Sequence, residues 1–313
     1  MNNIYPLISV ALCTYNGETY LRKQLDTLVL QTYPNLEIIA LDDQSKDGTF
    51  KILKEYEEKY SFFKAIINDQ NLGFVKNFEK AIKLCAGDFI AISDQDDLWE
   101  LNKIEVLYKE IGDNMLIYHD SHLIDSNDKK LGNQKMSTET RIHSGNCNLY
   151  FLTKNSVSGH ASLFRKELKE YIFPFDERFY YDWWIAYVAA SVGKIKYISN
   201  ILVHYRKHAV NVTNSLPSAE ERQKSLPGNK YFTYDLEWIK YLAQFKYAKN
   251  ARLIGKIYNI LSNYSRGKKG VPFFLFLLEY NSILFYLDRK SFFSELNHVR
   301  KIYSSEINQI NSL

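Results

Sequence analysis

Three carboxylates crowd into four residues at Asp94-Gln95-Asp96-Asp97, directly after the apolar run Phe89–Ile92. Like charges this close repel, and crowding them costs free energy unless a cation or hydrogen-bond donors compensate. Carboxylate oxygens are natural ligands of Mg²⁺ or Mn²⁺, which bind through one or two carboxylates plus substrate phosphates. A solvated acidic loop is the plainer alternative. A second acidic pair opens the segment Asp42–Thr49, DDQSKDGT. Asp43, Ser45, Asp47 and Gly48 fall at positions 1, 3, 5 and 6 of a calcium loop, but Lys54 stands where its last ligand, a Glu, should be. That excludes an EF-hand. Helix capping by Asp47 or Thr49 explains the end of the segment. It leaves Asp42 and Asp43 as carboxylates able to accept hydrogen bonds from a base or ribose.

Three further clusters carry candidate chemistry. Asn71-Leu72-Gly73 precedes a helical pattern with Lys76 and Asn77, and such a helix start either holds a phosphate or simply orders a turn. Asp182 sits in Phe179-Tyr180-Tyr181-Asp182-Trp183-Trp184, one carboxylate among five aromatics. Apolar surroundings raise a carboxyl pKa, which suits a general base near neutral pH; a helix cap with an aromatic staple is the alternative. His204-Tyr205-Arg206-Lys207-His208 combines two imidazoles with two cations, enough to hold a diphosphate or, through His208, a metal.

The elements that must position these groups alternate. Leu7–Leu12, Leu36–Leu41, Phe63–Ile67 and Phe89–Ile92 read as short buried strands. Thr19–Leu30, Thr49–Tyr60 and Phe74–Cys85 read as helices between them. This order predicts an α/β fold with a mostly parallel sheet and flanking helices. Ligands of such sheets gather at the carboxyl ends of strands, where Cys13-Thr14-Tyr15-Asn16, Asp42-Asp43 and Asp94–Asp97 all fall. Residues 115–158 read as irregular. A helix is expected over Asp182–Ser191, with strands at Lys196–Ile201 and Val203–Tyr205. Pro217 and Lys224–Asn229 suggest a boundary, and the tail beyond reads as helical through Leu236–Ala248, Ala251–Tyr264, Val271–Leu287 and Ser291–Ile310.

Hydrophobic residues make up 46% of the 313, so the chain can bury a sizeable core and disorder is not expected. The net charge of +4 is too small to argue for nucleic acid, but its distribution is uneven. Residues 216–313 hold 15 basic and 8 acidic side chains, a surplus of seven; a solvated helical face and a contact for an anionic membrane both fit. Cys13, Cys85 and Cys147 are widely spaced, which suits a reducing cytoplasm rather than a disulfide framework or a zinc site. The N-terminal stretch lacks the pattern of a signal peptide. Val271–Leu287 is slightly short for a membrane span and carries Glu279, so a buried or interfacial helix is expected there.

Five segments, taken together in order and spacing, resemble the inverting glycosyltransferases of family 2, which have the GT-A fold. They are Ile8–Gly17, Gln31–Thr49, Asn71–Ile82, Gly87–Trp99 and Tyr180–Ile198, within about residues 5–212. The resemblance implies a GT-A domain over 1–215; the tail over 216–313 carries no motif of the family and is expected, from its pattern, to be a helical C-terminal region. It also implies roles. Cys13, Thr14, Tyr15, Asp42, Asp43, Gly73, Lys76 and Asp94 would bind the nucleotide, with Asp43 at the base. Asp94 and Asp96 form the Asp-x-Asp motif; Asp96, Asp94 and His208 would hold Mg²⁺ or Mn²⁺. Asp97, Arg206 and His208 would face the donor sugar and diphosphate, and Asp182 would be the catalytic base. Gly159-His160 lies where relatives shape the donor and acceptor pocket. Gln95 resembles the branch that includes bacterial rhamnosyltransferases of surface polysaccharides, which points to dTDP-L-rhamnose as donor, with UDP-hexoses next.

The implied reaction is one in-line displacement onto a hydroxyl of a growing, polyprenyl-linked glycan, at the inner face of the cell membrane. Two alternatives are weaker fits. A nucleotidyltransferase would show a Gly-rich basic loop after the first strand, where CTYNGE stands instead. A non-catalytic nucleotide-sugar-binding subunit would not need Asp94, Asp96 and Asp182 together. For the tail, dimerisation, membrane seating and covering the acceptor cleft are the candidate roles.

Overall fold

The computed structural model of the chain describes residues 5–135, 142–208, 224–226, 229–266, 275, 276 and 278–280. The chain divides into two units: Met1–Cys147 with Ser156–Thr213, and Asn148–Asn155 with Asn214–Leu313.

The first unit starts with β1 (Ile8–Thr14), buried along its whole length as a strand covered on both faces must be. α1 (Glu18–Val29) buries Leu21, Leu25 and Leu28, spaced to share one face. β2 (Leu36–Asp42), α2 (Thr49–Lys59), β3 (Phe63–Ile67), α3 (Phe74–Leu84) and β4 (Phe89–Ser93) complete the expected alternation. β3, β2, β1 and β4 lie side by side in that order, all parallel. The register sets Thr14 beside Asp42 and Leu12 beside Ser93, so three polar clusters leave the sheet at one edge and one level.

The chain then extends the same sheet with β5 (Leu98–Trp99), β6 (Leu116–Ile124), β7 (Lys130–Lys135), β8 (Ser162–Arg165) and β9 (Ile195–Arg206). The strand order is β3-β2-β1-β4-β8-β6-β9-β5, with β7 on β6. β8 runs antiparallel between β4 and β6, and β9 runs parallel to β6. β5 pairs antiparallel with β9, Leu98 opposite His204, which returns the 204–208 segment to the acidic run. Residues 115–158, expected to be irregular, therefore contain two strands. β6 was hidden because His119, Asp120 and Ser121 interrupt its apolar pattern, although all three are buried and the register against β9 slips there. α4 (Lys103–Ile111) and α5 (Tyr181–Val192) complete the elements that carry site residues.

The tail was expected to be helical, but the second unit contains an antiparallel pair, β10 (Lys224–Leu226) and β11 (Asn229–Tyr234). The expected boundary at KSLPGN falls on this pair. α6 (Leu236–Ala243) starts at Asp235, whose Oδ1 accepts the N–H groups of Glu237 (2.9 Å) and Trp238 (3.2 Å), an N-cap. α7 (Ala251–Ser265) buries Ile254, Ile257 and Leu261. The expected helix at Val271–Leu287 lies mostly, and that at Ser291–Ile310 wholly, outside the described residues. Among the described residues no helix is long and apolar enough to cross a membrane.

Candidate active site

The site sits in the first unit, at the carboxyl edge of the parallel strands. Several residues expected to touch a nucleotide are engaged by groups of their own chain. Thr14 is 2% exposed and donates its hydroxyl to Asp42 Oδ1 at 2.8 Å. Asp42 is fully buried and also accepts Ser45 N–H (2.8 Å) and Ser45 Oγ–H (2.6 Å). A carboxylate so enclosed orders the β2–α2 loop. Asp43, 3% exposed, accepts Leu72 N–H (2.8 Å), Gly73 N–H (2.9 Å) and Asn68 Nδ2–H (2.8 Å). It thereby fastens the loop before α3, where Gly73 takes a φ of 77° that favours glycine. Lys76, expected at the nucleotide, is held by Glu79 Oε2 (2.8 Å) and the Phe175 carbonyl (2.6 Å). Cys13 is buried, and its thiol pKa is pushed up by that burial and then by the charges of Asp94 and Asp43. Tyr15 stands open, 45% exposed, and Gly73 is exposed as well.

The acidic run follows β4 directly, and Gln24 of α1 donates to Ser93 Oγ at its base (2.7 Å). Asp96 Oδ2 lies 2.7 Å from His208 Nε2, which joins two of the three expected metal ligands. Asp94, Asp97 and His160 present ligand atoms all within 4.8 Å of one another, a trio that differs from the expected one. Burial, the Asp96 charge and then the Asp182 charge push the Asp94 carboxyl up, so Asp182 is near enough to be felt. Asp97, expected at the donor sugar, is fully buried; its Oδ1 accepts Arg206 N–H at 3.1 Å, while its buried Oδ2 has no hydrogen-bond partner. An orphaned buried carboxylate oxygen beside two more carboxylates and imidazoles is a donor set that fits Mg²⁺ or Mn²⁺. His160 is neutral, its pKa lowered to about 3 by burial and by the Lys103 cation.

Arg206 also differs from expectation. Its side chain is fully buried; Nε donates to the Asp96 carbonyl (2.7 Å), and Nη1 donates to the Asp125 carbonyl (2.9 Å) and pairs with Asp128 Oδ1 (2.6 Å). The guanidinium therefore helps set the main chain of the acidic run. Arg206→Ala is expected to cost about 3–5 kcal/mol, because it leaves the buried partners uncompensated. A denaturant melt checks this, and an unchanged midpoint would refute it.

Lys103 is the residue missed by sequence reasoning. It is fully buried, donates Nζ–H to the His160 carbonyl at 2.5 Å, and lies 3.2 Å from the centroid of the Trp99 ring. Burial lowers its pKa, while Asp97 and Asp94 oppose that fall. A signal was present, since Lys103, Leu107 and Ile111 share one helix face. Asp182 lies in the first turn of α5: Oδ1 accepts Trp183 N–H at 2.6 Å and Oδ2 accepts Gly159 N–H at 3.2 Å. Burial raises its pKa to about 6 against the pull of these N–H groups.

An acidic run able to hold a divalent ion thus stands at the carboxyl edge of a mostly parallel α/β sheet, and the family match makes the chain a glycosyltransferase. The chain belongs to glycosyl transferase family 2, whose family model matches residues 9–173. It is 29% identical over 259 residues to an uncharacterized glycosyltransferase of Nostoc sp., covering 78% of this chain and 80% of that one. It is 33% identical over 105 residues to TuaG of Bacillus subtilis, a protein named for a glycosyltransferase step of teichuronic acid biosynthesis, covering 34% of this chain and 42% of TuaG. In fold it is similar to S. aureus TarS 1-349 solved with UDP-GlcNAc, with a TM-score of 0.59, 17% identity, and coverage of 89% of this chain and 81% of TarS 1-349.

Proposed function

We propose that the protein transfers a glycosyl group, with inversion, from a nucleoside diphosphate sugar to an acceptor hydroxyl during assembly of a bacterial surface glycan. The observation that carries this reading is Asp182, whose carboxyl is raised to about 6 and within the field of Asp94. Above that pH Asp182 is ionised and can take the acceptor proton. The acceptor oxygen forms its bond to the anomeric carbon as the bond to the diphosphate oxygen breaks, and the nucleoside diphosphate leaves with the electron pair. Asp94 and Asp96, with His208, would hold the divalent ion, because they keep some exposure, and Asp97, whose Oδ2 has no hydrogen-bond partner and which offers a ligand atom within 4.8 Å of one on Asp94, would add to that donor set. A bound Mg²⁺ or Mn²⁺ supplies charge to stabilise the leaving diphosphate. Gly159 N–H and the start of α5 hold the Asp182 oxygens in place.

The TuaG likeness and the sequence resemblance support a surface-glycan acceptor, and a polyprenyl-linked one fits the basic tail as a seat on the cytoplasmic face of an anionic membrane. For the donor, dTDP-L-rhamnose rests on Gln95 and UDP-hexoses on the TarS likeness in fold. The deciding experiment is nucleoside diphosphate release from a panel of dTDP-, UDP- and GDP-sugars with and without Mn²⁺. Metal-dependent release from one donor is expected; release from none would defeat the reading.

A further inference from the structure

Gln95, between the two aspartates of the motif, has an occupation of its own. Its Oε1 accepts Tyr15 N–H at 2.8 Å and its Nε2 donates to the Tyr15 carbonyl at 3.1 Å. One amide thus satisfies both main-chain groups of one residue, a two-point clip. The next residues of that loop are tied to the opposite side. Asn16 N–H donates to Ser45 Oγ, Lys46 N–H donates to Asn16 Oδ1, and Gly17 N–H donates to Thr49 Oγ1, each at 2.8 Å. Asn16 takes a φ of 48° to make this bend. Gly17 gives the amide its room, since a Cβ there would lie 2.2 Å from Gln95 Oε1. A shift of the Tyr15 main chain is therefore passed to the backbone that aims Asp94 and Asp96.

We propose that Gln95 is a positioning residue that couples occupancy of the Tyr15 loop by a nucleoside to capture of a divalent ion by the carboxylates on either side of it. This rests on the donor-site reading above. Such coupling is reciprocal: whatever one ligand does to the affinity of the other, the second does to the first.

The test uses the full chain and a nucleoside, uridine or thymidine. Without phosphates it cannot bind the ion through a diphosphate, so a change in ion affinity runs through the protein. Mn²⁺ affinity is measured by calorimetry with and without saturating nucleoside. In the unchanged protein the nucleoside is expected to tighten Mn²⁺ about fivefold or more, the low end of ordinary coupling. In Gln95→Ala the factor is expected to fall to about one, with each ligand alone bound within about threefold of the unchanged protein. Gly17→Ala keeps Gln95 and displaces only its flexible end, and it should lose the coupling in the same way. It also serves if Gln95→Ala fails to fold. Full coupling in a folded variant overturns the proposal, as does no coupling in unchanged protein that binds both ligands. Failure of the unchanged protein to bind either ligand instead overturns the donor-site reading itself.

Discussion

Asp182→Asn is expected to lower turnover about a thousandfold, within the range ordinarily supplied by a positioned general base. The substitution keeps the size and shape of the side chain. The amide oxygen can still accept Trp183 N–H, the shorter of the two bonds at 2.6 Å, so the start of α5 stays in place, while the amide NH₂ gives up the 3.2 Å contact with Gly159 N–H. What is lost is the basic oxygen. Nucleoside diphosphate affinity should therefore hold within about twofold while kcat collapses. Loss of nucleotide binding together with activity would refute the assignment. A pH profile adds a second check. Because the folded pKa of Asp182 is raised to about 6, activity should fall as pH drops through 6, and the residual activity of the variant should lose that limb.

Asp94→Asn is expected to stabilise the metal-free protein while removing most of its activity. The Asp94 carboxyl is raised from 3.8 to about 7, by burial first and the Asp96 and Asp182 charges next. A carboxyl raised in the folded state favours the fold below 3.8, and that advantage is lost as pH rises through about 7. At pH 8 the unoccupied site therefore carries a repulsion that the amide removes. The full shift would correspond to about 4 kcal/mol. The side chain keeps 35% exposure, so solvent screening cuts this to about 1 kcal/mol. For a domain of this size that is a rise of about 2–4 °C in Tm at pH 8. Mn²⁺ should raise the Tm of the unchanged protein and leave the variant nearly unmoved. Turnover with Mn²⁺ should fall about a hundredfold or more, as metal-borne charge stabilisation is lost. A variant that melts lower without metal, or still gains from Mn²⁺, would argue against Asp94 as a ligand.

Much of this molecule is legible along the chain, for a physical reason. Buried parallel strands such as LISVAL and LEIIAL are apolar at all but one position each, and their loops must carry whatever the ligand needs. Element order from β1 to β4 follows, as do the family and the acidic run. β6 was not legible, because a strand whose His119, Asp120 and Ser121 are buried among polar partners loses the alternation that marks a strand. Side-chain direction was not legible either. Residue type announces that a carboxylate or guanidinium can do chemistry, but only the packing decides whether it faces a ligand or its own protein. Asp43 and Arg206 turned inward to hold a loop and the acidic run. Lys103 arrived beneath that run on the buried face of α4, and Gln95 spent its amide on Tyr15. The sequence by itself determined the class of fold, the family and the acidic run. Tertiary structure alone decided which polar groups stand at the surface of the site and which form its frame, because that depends on partners 25 to 110 positions away in the chain.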